Sequence, residues 1–359
     1  MIAKALKLAA LLVVGAVTLT ACTPPMPPEV AAALAEQTYV CQNGDVALST
    51  PSALADDLPM ITDSMTGNCP TMTATSVEPG SGGVGSAAQI LIDSAAPAAA
   101  VCTPAYTSPF ALDAAVVSVT LGDSAGVILS PASVAGIFDG SIKTWDSAKL
   151  AADNSGEQVG SGPITVLPIT DAKALKAFSA WYQHLTGKAF SAPLVKAKRD
   201  LSVADLGTLA EGTVALLPYS TFTAYSTYSE VIPLAANILA DKKAPEGVTA
   251  DSSGIISAGT QLQLSKTDSG ITVKMDYSAK PVPPLGSDIA PVPYGAIYPV
   301  NLNLCGKPSL LARAVARFML RQDSQGTMTA FVSLPENLRA ESLIGVSKGL
   351  PTPKVKPQQ

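Results

Sequence analysis

The chain of 359 residues holds a single histidine, His184, and only 5% aromatic and 14% charged residues. With one imidazole and no CxxC among five cysteines, the usual ligand sets for structural zinc are missing, and neither metal nor cofactor is expected. Beyond the first 22 residues no segment reaches the run of about eighteen apolar residues that a spanning helix needs. Basic residues are outnumbered, 23 against 28 acidic, which argues against nucleic acid or anionic lipid as partner of the folded body. Catalytic patterns are absent too. The carboxylates show no paired acid and base spacing, no motif supports Ser–Lys chemistry, and His184 beside a helix core face reads as packing or a helix C-terminal charge interaction. The chain is therefore expected not to be an enzyme.

What is present begins at the N-terminus. Lys4 and Lys7 precede an apolar run, Leu8 to Leu19, that is too short to span a bilayer and has the layout of a secretory signal. It ends in Leu19-Thr20-Ala21-Cys22, which resembles the lipobox of bacterial lipoproteins, where the cysteine thiol is acylated and becomes the new N-terminus. The expectation is a signal peptide over 1–21, lipid on Cys22 and a semi-rigid spacer to residue 35 built on Thr23-Pro24-Pro25-Met26-Pro27-Pro28. The body would then sit on the extracytoplasmic face of the cell membrane, held by lipid. Its Ala-, Ser-, Thr- and Pro-rich composition is that of many secreted actinobacterial proteins. Four cysteines remain: Cys41, Cys69, Cys102 and Cys305. An even number outside the cell favours disulfides, with three connectivities open. Cys41–Cys69 with Cys102–Cys305 is preferred, because the first closes a local loop and the second ties two segments of one expected lobe.

The body mixes short β-type runs with helices, as in an α/β fold. Val116-Val117-Ser118-Val119 and Ile164-Thr165-Val166-Leu167 read as buried strands. Ser130-Pro131, then Val134, Ile137, Phe138 and Gly140, spell a short helix with N-cap, first-turn proline and glycine stop. From Thr170, Leu175, Phe178, Tyr182 and Leu185 share a helical face until Gly187. Near the end Leu310, Leu311, Ala314, Val315, Phe318 and Met319 form another, with Arg313, Arg317 and Arg321 expected on its wet side. Thr260 to Tyr277 alternates like a hairpin turning at Asp268-Ser269-Gly270. Trp145 and Trp181 read as packing residues, and Tyr219, Tyr225 and Tyr228 as cleft or surface-loop residues. Residues 350–359 read as a disordered tail.

Leu129 to Leu150, with Phe138, Gly140, Ile142, Trp145 and Asp146, resembles the F-x-G-x-I-x-x-W-x-D signature of the phosphate-binding proteins of ABC importers. Glu211 to Ser220 resembles that family's G-x-I-G-Y-like strand, and Ala314 to Arg339 its terminal helix, S-x-x-G-Q-like turn and "LP" close. The resemblance covers about Val77 to Arg339. It implies a two-lobed type II periplasmic-binding-protein fold, each lobe a central sheet flanked by helices, with a solute in the cleft. Lobe 1 would comprise 36–122 and 288–349, and lobe 2 residues 123–287 with the hairpin as an insertion at about 242–284.

Such a cleft holds an oxyanion on helix N-termini and hydroxyl donors. Where the family carries R-x-D-x-S-G-T, this chain has Ile169, Asp171, Lys173, Ala174 and Leu175, so the arginine and both hydroxyls are gone. Lys173 either supplies an ammonium there or is a solvated helix residue. Gly80, Ser81, Gly82 and Gly83 resemble the family's G-S-S-G-G loop, though any Gly/Ser turn has that composition. The family's S-D-x-P-like aspartate position is expected near Cys102-Thr103-Pro104, where a carboxylate is absent. The first ligand loop is sought between Tyr39 and Thr50. The candidate ligand set is Gly80, Ser81, Gly82, Gly83, Thr103, Thr170, Asp171 and Lys173, for a small solute such as phosphate or another oxyanion delivered to an ABC permease. The competing expectation is a binding-protein fold kept as an envelope interaction or structural lipoprotein.

Overall fold

From Ser108 to Thr120 every residue is buried, within one strand that runs from Pro104 to Thr120, the fourth in chain order (β4). Its sequence, FALDAAVVSVT after Pro109, is nearly continuous in small and β-branched apolar residues, the pattern of a strand covered on both faces. The computed structural model describes residues 30, 33, 34, 36–77, 88–94, 97, 99, 101–122, 126–192, 209–228, 233–241, 245–284 and 286–351.

The strand is long enough to serve two half-sheets. Residues 104–114 of β4 pair antiparallel with β12 (Ile297–Cys305), and residues 115–120 pair antiparallel with β7 (Thr213–Pro218). On the first side the order continues from β12 to β3 (Ile90–Asp93), β1 (Gly44–Ser49) and β2 (Met72–Ser76), the last three mutually parallel. On the second side β6 (Thr165–Val166) lies parallel to β7, and β8 (Leu234–Ala235) pairs with β4. A small parallel pair, β5 (Ile128–Leu129) with β9 (Asn237–Ile238), stands apart. The fold is α/β, and helices cover both half-sheets: Leu58–Asn68, Leu310–Met319 and Glu336–Val346 against the first, Tyr219–Tyr228 against the second, and Ala172–Thr186 across β4, β7 and β12 where the two meet.

The hairpin forms where the alternation placed it, as β10 (Leu262–Thr267) and β11 (Gly270–Met275). It extends the first half-sheet past β4, whereas the sequence placed it as an insertion of the second lobe. Gly270 makes that junction possible. Its φ is +148°, and a Cβ there would stand 2.2 Å from the Thr107 carbonyl oxygen.

Local signals hold at the helix ends. Ser130 accepts from the Ser133 amide at the head of Pro131–Phe138, and Asp171 accepts from the Ala174 amide at the head of Ala172–Thr186, which Gly187 closes with φ +69°. Trp145 and Trp181 are core residues as expected, and the Trp145 indole donates to the Gly212 carbonyl at 3.1 Å. Both disulfides are present in the preferred connectivity, with Cα separations of 5.3 Å for Cys41–Cys69 and 5.2 Å for Cys102–Cys305.

Two expectations are corrected. The run from Ile164 to Leu167 gives only a two-residue strand, and both of its residues are exposed. The arginines of Leu310–Met319 and its end are not a wet face: Arg317 is 3% exposed and Arg321 7%, whereas Leu310 is 48% exposed. Residues 36–39 lie over that side of the helix. Arg317 donates to the Thr38 carbonyl, Arg321 donates to the Glu36 carbonyl at 2.8 Å, and the Arg321 guanidinium stacks 4.1 Å from the Tyr39 ring centroid.

Candidate ligand cleft

At the point where β4 changes partners its alternation carries Asp113 into a cleft of about 210 Å³. Ala114 still pairs with Ile297 of β12, and Ala115 already pairs with Pro218 of β7, so the residue before them faces both half-sheets. Seven chain segments meet there, among them β4 with Asp113, Phe331, and the end of β7 with Leu216, Leu217 and Pro218, which runs on into the helix after it. The loop after β1 supplies Pro51, Ser52 and Ala53, the end of β3 supplies Asp93 and Ser94, and β12 supplies Tyr298 and Val300. The approach to Ala172–Thr186 supplies Thr170 and Asp171, and the start of Tyr219–Tyr228 supplies Ser220 and Thr221.

The wall is thus built from helix starts and hydroxyls, the arrangement that suits a polar guest. Its charge is one-sided. Asp93, Asp113 and Asp171 are carboxylates, and none of the described lining residues is Lys, Arg or His.

Asp113 is fully buried and saturated with donors. Its Oδ1 accepts from the Ala114 amide at 2.8 Å and the Ser220 amide at 3.1 Å, its Oδ2 accepts from the Ser220 hydroxyl at 2.7 Å, and the Tyr298 hydroxyl donates to the same carboxylate. Burial pushes its carboxyl up to about 6, against the pull of these hydrogen bonds. Burial, with Asp113 and Asp171 nearby, raises the Tyr298 phenol well above its ordinary range.

Of the residues singled out from sequence, Thr170 and Asp171 line the cleft. Asp171 is at the same time the N-cap of its helix, its Oδ1 2.7 Å from the Ala174 amide. Lys173, the second residue of that helix, is half-buried and does not line the cleft, and Ile169 is 2% exposed in the core. Thr103 is exposed at the head of β4, its hydroxyl on the Ala99 carbonyl, away from the cleft lining. Gly80, Ser81, Gly82, Gly83 and Cys22 lie outside the described residues. His184 stacks on Tyr277 with ring centroids 4.5 Å apart. Tyr219 is on a helix rather than a loop, its hydroxyl 3.4 Å from that of Ser252.

Among the lining residues that were missed, three are instructive. Asp93 ends β3 in Asp93-Ser94-Ala95-Ala96-Pro97, so a carboxylate followed closely by proline was legible ten residues before the position assigned to it. Ser52 lies two residues past the segment searched for the first loop. Asp113 was hidden inside an apolar strand, where a single acid in a buried run is itself the signal.

A second groove, of about 580 Å³, lies apart between Ser252–Gly259, residues 282–291 and the start of Glu336–Val346. Its walls are largely proline and aliphatic, among them Ile256, Val282, Pro283 and Pro335. Among the described residues no helix is long and apolar enough to cross a membrane, and no group of three or more His, Cys, Asp or Glu side chains is placed to hold a metal ion.

No family model matches the sequence, and no curated protein does. Solved structures do. A high-affinity periplasmic phosphate-binding protein, PfluDING, bound with phosphate, superposes with a TM-score of 0.55 at 13% identity, over 87% of this chain and 100% of that one. A human phosphate-binding apolipoprotein gives 0.52 at 14% identity, over 83% and 93% of the two chains. An ancestral soluble variant of the human phosphate-binding protein gives 0.52 at 13% identity, with the same coverage of 83% and 93%. At such identities the likeness is one of fold. This chain has the two-lobed α/β fold of the phosphate-binding proteins that its sequence resembles.

Proposed function

We propose that this chain is an extracytoplasmic solute-binding protein of an ABC importer, anchored through lipid on Cys22, which holds a small oxyanion such as phosphate between its two half-sheets. The observation that carries the reading is the cleft itself. Two helix starts and the hydroxyls of Ser52, Ser94, Thr170, Ser220 and Thr221 converge on it at the strand that joins the half-sheets. Orientable hydroxyls are what an oxyanion needs in exchange for its water, while the Ala174 and Ser220 amides at the two helix starts are held by Asp171 and Asp113. Asp93 supplies an acceptor for a protonated ligand oxygen, the role that the family resemblance gives to an aspartate. The glycine loop Gly80 to Gly83 is the further donor set that the resemblance implies.

Calorimetric titration of the purified protein with phosphate and with sulfate tests the reading. A saturable signal with either anion is expected; its absence with both, while circular dichroism shows a folded protein, removes oxyanion transport. The anchor is tested separately by labelling cells with palmitate, which should mark the wild-type protein and not Cys22→Ala.

A second reading has one observation in its favour. The described lining offers three carboxylates and no cation, and Ile169 stands where the family resemblance implies an arginine. On that reading the fold persists as an envelope interaction or structural lipoprotein, and neither anion binds.

A further inference from the structure

The charge of the cleft poses a problem that the solute-binding reading does not solve. A doubly charged oxyanion would enter beside Asp113, whose partners are the amides of Ala114 and Ser220 and the hydroxyls of Ser220 and Tyr298, none of them a cation. Like charges brought together in a partly dry site disfavour the ionised forms, so some carboxyl must give way. Asp113 is built to do so.

As a carboxylate Asp113 has about four lone-pair sites, and four donors occupy them: the amides of Ala114 and Ser220, and the hydroxyls of Ser220 and Tyr298. No acceptor capacity is left for a solute. Two of the four donors, however, are hydroxyls, which accept as readily as they donate. When Asp113 takes a proton from solvent, its new O–H donates to Ser220 Oγ or to the Tyr298 oxygen. The hydroxyl that accepts it no longer spends its own hydrogen on Asp113. Ser220 and Tyr298 both line the cleft, so that hydrogen is available to an anion there. One proton therefore removes a negative charge from the floor and adds a donor to the wall.

We propose that an oxyanion enters this cleft together with one proton, which Asp113 carries. The inference rests on the solute-binding reading and adds the charge state in which the site works. Burial already pushes the Asp113 carboxyl up to about 6, so a further rise on anion binding brings it into the neutral range. The titratable groups around it are Tyr298 from β12, Tyr219 beside Ser220, Tyr294, which donates to the Ala115 carbonyl, Asp171 from the head of Ala172–Thr186, and Asp93 from the end of β3. The carboxyls of Asp93 and Asp171 are the alternative carriers, and the test must separate them.

Sulfate is the probe, because its own charge is constant over the range used. Its affinity for the wild-type protein is expected to fall roughly tenfold or more between about pH 5.5 and about pH 7.5. Calorimetry near neutral pH, in buffers of different ionisation enthalpy, should show close to one proton taken up per sulfate. Asp113→Asn keeps the shape and an acceptor oxygen, and should bind sulfate with little dependence on pH and no proton uptake. Sulfate bound by the wild-type protein without proton uptake, or an Asp113→Asn variant that retains the wild-type pH slope, overturns the inference and leaves solute binding standing. Should Asp113→Asn not fold, Asp93→Asn and Asp171→Asn decide: proton uptake that persists in both supports Asp113 as the carrier, and its loss in either overturns the inference. If neither sulfate nor phosphate binds the folded wild-type protein at any pH in the range, the oxyanion reading falls and the inference with it.

Discussion

Asp113 and Ser220 are joined twice at the floor of the cleft, through the serine amide at 3.1 Å and the serine hydroxyl at 2.7 Å. One residue belongs to the strand common to both half-sheets and the other to the first turn of Tyr219–Tyr228, so the pair fixes that helix start against β4. The carboxylate also meets the positive end of the helix, which is where a fixed anion is favourable. Four hydrogen bonds nevertheless do not offset full burial, since the carboxyl titrates near 6 rather than in the ordinary carboxylate range.

That displacement sets a pH dependence of stability. Between about pH 4 and pH 6 the folded chain holds a proton on Asp113 that the unfolded chain has lost, so folding is favoured at the acid end of the window. The contribution is fully present below the unfolded value and is lost as pH rises through about 6. Its size is roughly 2 to 3 kcal/mol, from a shift of about two units in a fully buried group. Urea unfolding across this window should show wild type losing stability relative to Asp113→Asn as pH rises. Parallel curves would mean that the group titrates normally.

The disulfides offer a test of the topology. Cys102–Cys305 spans 203 residues and joins the head of β4 to the end of β12, while Cys41–Cys69 spans 28. In the chain-entropy account the longer loop contributes about 5 kcal/mol and the shorter about 3.5 kcal/mol. Replacing both cysteines of a pair by alanine should therefore lower the unfolding free energy more for Cys102 and Cys305. Equal losses would indicate that residual structure in the unfolded chain already brings the distant pair together.

How much could be read in advance depends on how local the cause was. Caps and stops lie within one turn of what they act on, and Ser130, Gly187 and the hairpin glycine Gly270 were all legible, whereas the capping role of Asp171 was not read. Thr170 and Asp171 reached the cleft because a strand leading to a helix start already orients its first residues. The Asp113 site was not legible as a constellation, since its donors come from residues 114, 220 and 298 and converge only through the pairing of β4 with β7 and β12. The arginines failed for a similar reason. Spacing describes a helix face but not its cover, and the cover here arrives from residues 36–39, far away in sequence. Asp93 was missed because β3 has only four residues, too few to show its own period.

Arg339 is the most demanding of the buried charges, at 2% exposure. It is paired with Glu36 and, at 2.7 Å, with Glu336, and it also donates to the Leu320 carbonyl at 2.9 Å. Removing the guanidinium strands the largely buried Glu36 and one carbonyl, a loss that typically costs about 3 to 5 kcal/mol. Arg339→Ala should lower the melting temperature sharply, and Arg339→Lys should recover only part, because an ammonium cannot present the same planar fork. A small effect in Arg339→Ala would mean that residues near Glu36 are not held against the helix.

Asp171 does two jobs that two substitutions separate. As N-cap it accepts from the Ala174 amide at 2.7 Å, and as a lining residue it adds negative charge to the cleft. Loss of the cap costs about 1 kcal/mol, while asparagine caps nearly as well. Asp171→Ala is therefore expected to destabilise by about that amount and Asp171→Asn by a few tenths of it. Both remove the charge, so both should strengthen sulfate binding at neutral pH by a similar factor. If only the alanine variant alters sulfate affinity, the residue acts on the cleft through the helix start it holds and not through its charge.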